Sequence, residues 1–208
     1  RMALSSSCLM PRVRSSELAS LAGASHITIG LGRLLAGDGV MLTDKQVAIP
    51  NLSYEQIVGI SPTYVPYRNG TMLSVLAAHA TKYIMSAAAA EGLDGNSPLL
   101  KDLVTLYFGA HAEDAKNWAY PDCTPEFIGA MANAIYIGTY QTMRLRAPFM
   151  YGSKAEIIRL GTQLGVPYDL TWSCYAGGDK HCGVCPTCRA RREAFRVADV
   201  RDPTEYAS

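Results

Sequence analysis

Four of the six cysteines in this 208-residue chain, Cys174, Cys182, Cys185 and Cys188, fall within fifteen residues. The last three read Cys182-Gly-Val-Cys185-Pro-Thr-Cys188, two interlocked CxxC steps. A CxxC turn aims two sulfurs at one point, and glycines permit the tight backbone this needs. Four thiolates so placed close a tetrahedral zinc site. The same spacing could hold an iron–sulfur cluster, with zinc the favoured ion. A site closed by four thiolates keeps no open coordination position, so its expected role is structural. His181 is expected to neighbour the ion rather than bind it. Cys123 reads as a packed thiol rather than a nucleophile, and Cys8 carries no signal by itself.

This crowding is not how a secreted disulfide framework distributes its cysteines. The opening residues RMALSSSCLMPRVR hold neither the apolar core nor the cleavage site of a signal peptide. The apolar stretch 73–90 is interrupted by His79 and Lys82, which argues against a membrane span. A soluble, cytoplasmic protein in a reducing compartment is the expectation. Nineteen basic against eighteen acidic residues leave a net charge of +1, so no long-range field draws the chain to nucleic acid or membrane. Arg189, Arg191, Arg192 and Arg196 therefore read as a solvated helical face closing the metal knuckle. With 49% apolar and 18% charged residues, the chain has the composition of a packed domain, not of a disordered one.

Strand and helix signals alternate. Ser15 or Ser16 can cap a helix running to Leu21 and stopped by Gly23, with a strand at 26–30. Residues 31–62 lack periodicity and predict a long loop. Apolar residues at Leu76, Ala80, Tyr83, Ile84 and Ala87 mark one face of a helix starting near Met72. The apolar run 103–109 predicts a strand of a parallel sheet covered on both sides. Thr124-Pro125 opens a helix with Phe127, Met131 and Ile135 inward; 145–150 reads as a strand; Ser153 and Glu156 form a capping box. This order predicts a doubly wound α/β fold, with chemistry in the loops after Phe108 and Phe149.

Several segments together carry a resemblance: Lys154-Ala-Glu-Ile-Ile, Gly165-Val-Pro, Thr171-Trp-Ser-Cys-Tyr and the cysteine cluster, with Tyr64-Val-Pro-Tyr-Arg68-Asn69 and Tyr120-Pro-Asp122-Cys123-Thr-Pro-Glu126-Phe127 upstream. Their ordered succession over roughly residues 15–197 resembles the 7-cyano-7-deazaguanine synthase family. The resemblance implies a PP-loop, ATP-dependent ligase with a Rossmann-like, adenine-nucleotide α-hydrolase type sheet. Residues 1–170 would form that domain and 171–208 the zinc-binding segment packed on it. The implied reaction joins 7-carboxy-7-deazaguanine and ammonia into the nitrile base, using ATP with Mg2+. The family's usual assembly suggests a homodimer.

By the same resemblance, Lys154 and Arg68 are candidate catalytic residues that neutralise phosphate or carboxylate charge. Asp122, Tyr120, Asn69 and Asp114 are candidate substrate-binding residues, with Asp122 accepting from the guanine-like edge of the ring. His111 is an ordinary loop histidine or a group beside the reacting centre. The family's Ser-Gly-Gly-x-Asp-Ser loop, whose amides cradle pyrophosphate, corresponds to the stretch ALSSSCLM at 3–10, making Ser5, Ser6 and Ser7 the candidate nucleotide-binding residues. That stretch lacks the Gly-Gly-x-Asp portion. Either the chain is a degenerate homologue, or these residues are the ordered parts of a longer chain; the intact downstream motifs favour the second. Two other functions stay open: a variant stopping at the amide, and a non-catalytic zinc-bearing homologue that binds a base or a partner.

Overall fold

A computed structural model describes residues 2–4, 12–37, 40–44, 47–53, 56–57 and 59–207. The chain is an α/β protein made of two compact units. The first gathers Arg1–Pro66, Lys116–Ala119 and Gly152–Ser208, and the second Tyr67–Ala115 and Tyr120–Tyr151.

In the first unit, β1 (Met2–Leu4) pairs in parallel with β2 (Ser25–Ile27), in the register Met2↔Ser25 to Leu4↔Ile27. Helix α1 (Arg12–Leu21) joins them, because parallel neighbours need a crossover. It begins before the expected serine cap: arginine is a good helix former, so Ser15 and Ser16 lie inside the helix. The segment 31–62 is mostly irregular among its described residues, with a short α2 (Gly32–Leu35) that periodicity did not reveal.

Helix α6 (Lys154–Gln163) starts at the capping box. Ser153 accepts from the Glu156 amide, and Glu156 reaches back to the Ser153 amide at 2.7 Å. It packs on α7 (Pro186–Ala198) through Ala155, Ile158, Ala194, Phe195 and Ala198. Tyr168 joins this core, its ring edge-on to Phe195 at 5.1 Å and its hydroxyl donating to the Ile158 carbonyl at 2.6 Å. That hydroxyl occupies the space a Cβ on Gly161 would need. A mid-helix Gly→Ala change ordinarily gains up to about 1 kcal/mol. Here Gly161→Ala is expected to destabilise instead, by about 1–3 kcal/mol, because Tyr168 must leave its carbonyl. A melting temperature at or above wild type would contradict this packing.

The second unit is built on β3 (Val104–Tyr107) and β4 (Met143–Arg146), parallel in the register Val104↔Met143 to Tyr107↔Arg146. Between them run α4 (Ala112–Ala115) and α5 (Pro125–Gly138), preceded in sequence by the long α3 (Arg68–Ala90). Strand β4 ends at Arg146, short of the expected 145–150, because Pro148 has no amide hydrogen for a sheet ladder. Its alternation is one-faced: Met143 and Leu145 are buried, whereas Arg146 is exposed and Arg144 forms a bidentate pair with Asp102. Strand β3 is also one-faced. Leu106 is buried but Tyr107 is 70% exposed, which corrects the expectation of a strand covered on both sides. Thr124 caps α5 as expected, accepting from the Phe127 amide at 3.2 Å. Helix α5 buries Ile128, Met131 and Ile135, while Phe127 is only half-buried and meets Tyr67 edge-on at 6.0 Å.

Candidate metal centre and candidate active site

In the first unit the Sγ atoms of Cys174, Cys182, Cys185 and Cys188 all lie within 4.8 Å of one another. Sulfurs about 2.3 Å from a common zinc sit roughly 3.8 Å apart in a tetrahedron, and the Cys182–Cys188 separation is 4.0 Å. The spacing thus suits a single ion. Backbone conformation builds the cage: Gly177, Gly178 and Gly183 adopt positive φ, and the Cys182 and Cys185 amides donate to the Cys174 and Cys182 sulfurs at 3.3 Å. Cys185 is the N-cap of α7 and Cys188 lies in its first turn, where the helix dipole favours thiolates. Cys174, Cys185 and Cys188 are buried, and Ile49, Trp172, Tyr175 and Tyr206 pack around them.

The four thiols are linked through hydrogen bonds. Hydrogen bonds from Cys174 and Cys188 hold Cys185 below the usual thiol range, and hydrogen bonding to Cys174 and Cys185 pushes Cys188 up. A cation bound by all four sulfurs would displace these protons.

His181 is a neighbour of the sulfurs. Its Nε2 accepts from the Ser173 amide at 3.0 Å, and its ring lies against Trp172, with centroids 4.2 Å apart. Of the arginines of α7, Arg191 departs from the expected solvated face. Arg191 is buried, and its guanidinium donates to the Tyr168 carbonyl, to Thr171 and to Thr204 at 2.7–3.0 Å, with Asp202 at 3.6 Å. Arg192 stacks over Tyr206, and Arg189 donates to Val184 and Asn51. Arg189, Arg192 and Arg196 are exposed as predicted, and Arg196 pairs on the surface with Glu193.

The second unit collects most of the other candidates. Tyr67 precedes α3 in the left-handed region, at φ 51°, a strained conformation for a bulky residue. Its hydroxyl reaches Met131 Sδ at 3.8 Å and its ring lies on Gly70, which fixes the turn that presents Arg68. Arg68 is half-buried and makes no hydrogen bond or ion pair among the described residues.

Asp122 is buried, and its Oδ2 accepts from the Asn69 amide at 3.0 Å. It therefore caps α3, not the helix that follows it in sequence. Asn69 is engaged as well, its side-chain amide donating to Cys123 Sγ at 3.2 Å and to the Asp122 carbonyl at 3.5 Å. Burial, followed by the charges of Asp114 and Asp122, pushes the Cys123 thiol up to about 12, with Arg68 acting in the opposite direction. Cys123 is thus a packed thiol. Tyr120 is buried beside them in sequence, ahead of the Pro121–Cys123 turn.

The loop after β3 adds His111, Glu113 and Asp114. His111 Nε2 lies 3.0 Å from Asp114 and Nδ1 lies 3.0 Å from Glu113. Glu113 was not singled out from sequence; the His-x-Glu-Asp spacing at the end of a strand is the signal that could have found it. Lys154 belongs to the first unit, at the start of α6. Ser5, Ser6 and Ser7 lie outside the described residues. No helix among the described residues is long and apolar enough to cross a membrane.

Comparison with known proteins places this arrangement among relatives. The family model of the queuosine biosynthesis protein QueC matches residues 100–199. The 7-cyano-7-deazaguanine synthase of Thermoplasma acidophilum is 36% identical over 197 residues, covering 92% of this chain and 74% of that protein. The enzymes of that name from Caldicellulosiruptor bescii and Caldicellulosiruptor saccharolyticus are 44% and 41% identical over 144 and 165 residues. These matches cover 69% and 79% of this chain. The chain spans 56% and 64% of the length of those two relatives.

Proposed function

The chain belongs to the QueC family of queuosine biosynthesis proteins, and we propose that it serves as an ATP-dependent ligase converting 7-carboxy-7-deazaguanine and ammonia into 7-cyano-7-deazaguanine. The observation that carries this beyond the relatives' names is the second unit's cluster: a buried carboxylate, Asp122, beside an unpaired Arg68. A guanine-like ring offers a donor edge that a carboxylate accepts, and the ring's own carboxylate needs a cation.

A carboxylate is a poor electrophile. Transfer of an adenylyl group from ATP to its oxygen, with loss of pyrophosphate, gives an acyl-adenylate that ammonia attacks; AMP leaves and an amide forms. Adenylation of the amide oxygen, followed by loss of AMP and a proton, leaves the nitrile. Both steps depend on positioning and on neutralising charge. In this reading Arg68 and Lys154 supply positive charge, and Asp122 reads the ring. Tyr120 and Asn69 hold the Asp122 loop, while Asp114 lies on the substrate side. Ser5, Ser6 and Ser7 belong to the nucleotide loop, where ATP enters with Mg2+.

Residues 1–170 then carry the nucleotide chemistry and 171–208 the metal. The four thiolates suit one zinc, which would tie the 174–188 loop to the start of α7 without a position for substrate. The cytoplasmic location and the homodimer implied by the family resemblance belong to the same proposal.

Pyrophosphate release that requires 7-carboxy-7-deazaguanine tests the activity; no release with ATP and ammonium present would contradict it. Ring recognition has its own test. Asp122→Asn keeps an oxygen to accept from the Asn69 amide, so the cap on α3 survives and stability should fall by less than about 1 kcal/mol. Against the ring, however, the new amide sets a donor facing a donor. Affinity for the base should drop ten- to a hundredfold, corresponding to about 1–3 kcal/mol. Calorimetry showing equal affinities would make Asp122 a helix cap only.

A further inference from the structure

Helix α3 opens on a residue that contributes nothing to capping it. Tyr67 stands at the N-cap, a place for short polar side chains, and makes no capping hydrogen bond. Asp122 caps the helix instead, at the Asn69 amide. The Tyr67 backbone lies at φ 51°, where glycine is unstrained and a residue with a β-carbon is not. The contacts that fix its ring offset little of this strain. The hydroxyl meets the Met131 sulfur, a weak acceptor, at 3.8 Å. The Phe127 ring stands edge-on at 6.0 Å, toward the long end for aromatic pairs. The residue is 53% exposed, so burial adds little. Strain held without matching packing marks a position that serves function.

Around this ring stand the residues that the ligase reading assigns to the base. The tip of the ring lies on Gly70, where a Cβ would have no room, so its orientation is fixed. Arg68 follows it in the chain, and Asp122 reaches the same turn of α3 through Asn69, all within the second unit. Asp122 Oδ2 is taken by the Asn69 amide. Its Oδ1 accepts no hydrogen bond among the described residues and is not sealed from solvent. A carboxylate holds a flat base by its edge and leaves the ring faces uncovered. Proteins that take up single bases cover those faces with aromatic side chains.

We propose that Tyr67 is a specificity-determining residue, its ring stacking on the flat bicyclic base whose edge Asp122 reads. The fixed backbone and the contact with Gly70 hold the ring ready, so little rotamer freedom is lost when the base arrives. The inference rests on the ligase reading for the identity of the base, 7-carboxy-7-deazaguanine, but stacking can be tested without turnover. Tyr67→Phe keeps the aromatic face and gives up the contact with Met131. Tyr67→Leu keeps apolar bulk and gives up the face.

The base carries a single carbon-bound proton, on the five-membered ring, and its resonance moves upfield when an aromatic ring stacks on it. Titrations with and without a non-hydrolysable ATP analogue should show that shift with wild type and with Tyr67→Phe. With Tyr67→Leu most of the shift should vanish. Calorimetry should find affinity about tenfold or more weaker in Tyr67→Leu and within about threefold of wild type in Tyr67→Phe. Zinc content should be unchanged in both. An unshifted proton in a base that wild type binds, or wild-type affinity in Tyr67→Leu, would overturn the stacking role. Should Tyr67→Leu fail to fold, the wild-type shift and Tyr67→Phe still decide. Product formed from a base whose proton does not shift removes the stacking role alone. A shifted proton without product sinks the ligase reading alone, and a base that wild type does not bind overturns both.

Discussion

Cys188→Ala is expected to release the metal and unfold the segment around it together. Cys188 is fully buried and stands in the first turn of α7, so its sulfur ties the 174–188 loop to the helix that packs on α6. Apparent binding energies for structural zinc run to about 10–16 kcal/mol in zinc-finger peptides. That is comparable with the whole stability of an ordinary domain, about 5–15 kcal/mol. Three remaining thiols cannot close the tetrahedron. Elemental analysis should find about one zinc per wild-type chain and a small fraction of that in the variant, with a large fall in melting temperature. Cys123→Ala is the control: it removes a buried thiol from the second unit and should leave zinc content unchanged. Iron in the wild type, or full zinc in Cys188→Ala, would contradict the assignment.

The second large effect is expected at Arg191. Its guanidinium links the Tyr168–Leu170 turn, the 171–173 segment and the 202–204 segment, all from within the first unit. Arg191→Met keeps much of the volume but removes the guanidinium that donates to Thr171, Thr204 and the Tyr168 carbonyl, and takes away the positive charge facing Asp202. Breaking one partner out of a buried ionic network costs about 3–5 kcal/mol. Arg191→Lys should rescue little, since a lysine cannot reproduce the planar fork.

The pH dependence follows from Asp202. Burial pushes its carboxyl up, but hydrogen bonds from Thr204 and Tyr206 and the charge of Arg191 outweigh burial and hold it below the usual carboxylate range. A carboxyl lowered on folding contributes stability above its unfolded pKa of about 3.9 and loses it as pH falls through the lower folded value. In Arg191→Met this loss should begin at a higher pH. Thermal unfolding followed from pH 7 to pH 3 measures both effects. A variant within about 0.5 kcal/mol of wild type at neutral pH would return Arg191 to the solvated face.

The outcome at Arg191 shows where sequence reading stopped. The capping box at Ser153, the Thr124 cap and the cysteine knuckle are local patterns, spaced by a helical turn or a CxxC step, and each appears where its spacing put it. Arg191 carries the same charge and helical setting as Arg196. Only the return of residues 202–204 onto the helix separates a buried anchor from a surface pair. Asp122 is similar: nothing near it in sequence indicates that it caps a helix whose first turn lies 53 residues upstream. The strand lies at 143–146, on the alternation Met-Arg-Leu-Arg, and not at 145–150, where Pro148 interrupts the ladder.

The ligase reading is tested most directly by the product itself. The protein, incubated with 7-carboxy-7-deazaguanine, ATP, Mg2+ and nitrogen-15 ammonium chloride, should yield 7-cyano-7-deazaguanine with one labelled nitrogen, resolved by mass spectrometry. Labelled 7-amido-7-deazaguanine should rise and then fall on the way. Unchanged acid, or labelled amide as the sole end product, would contradict the account.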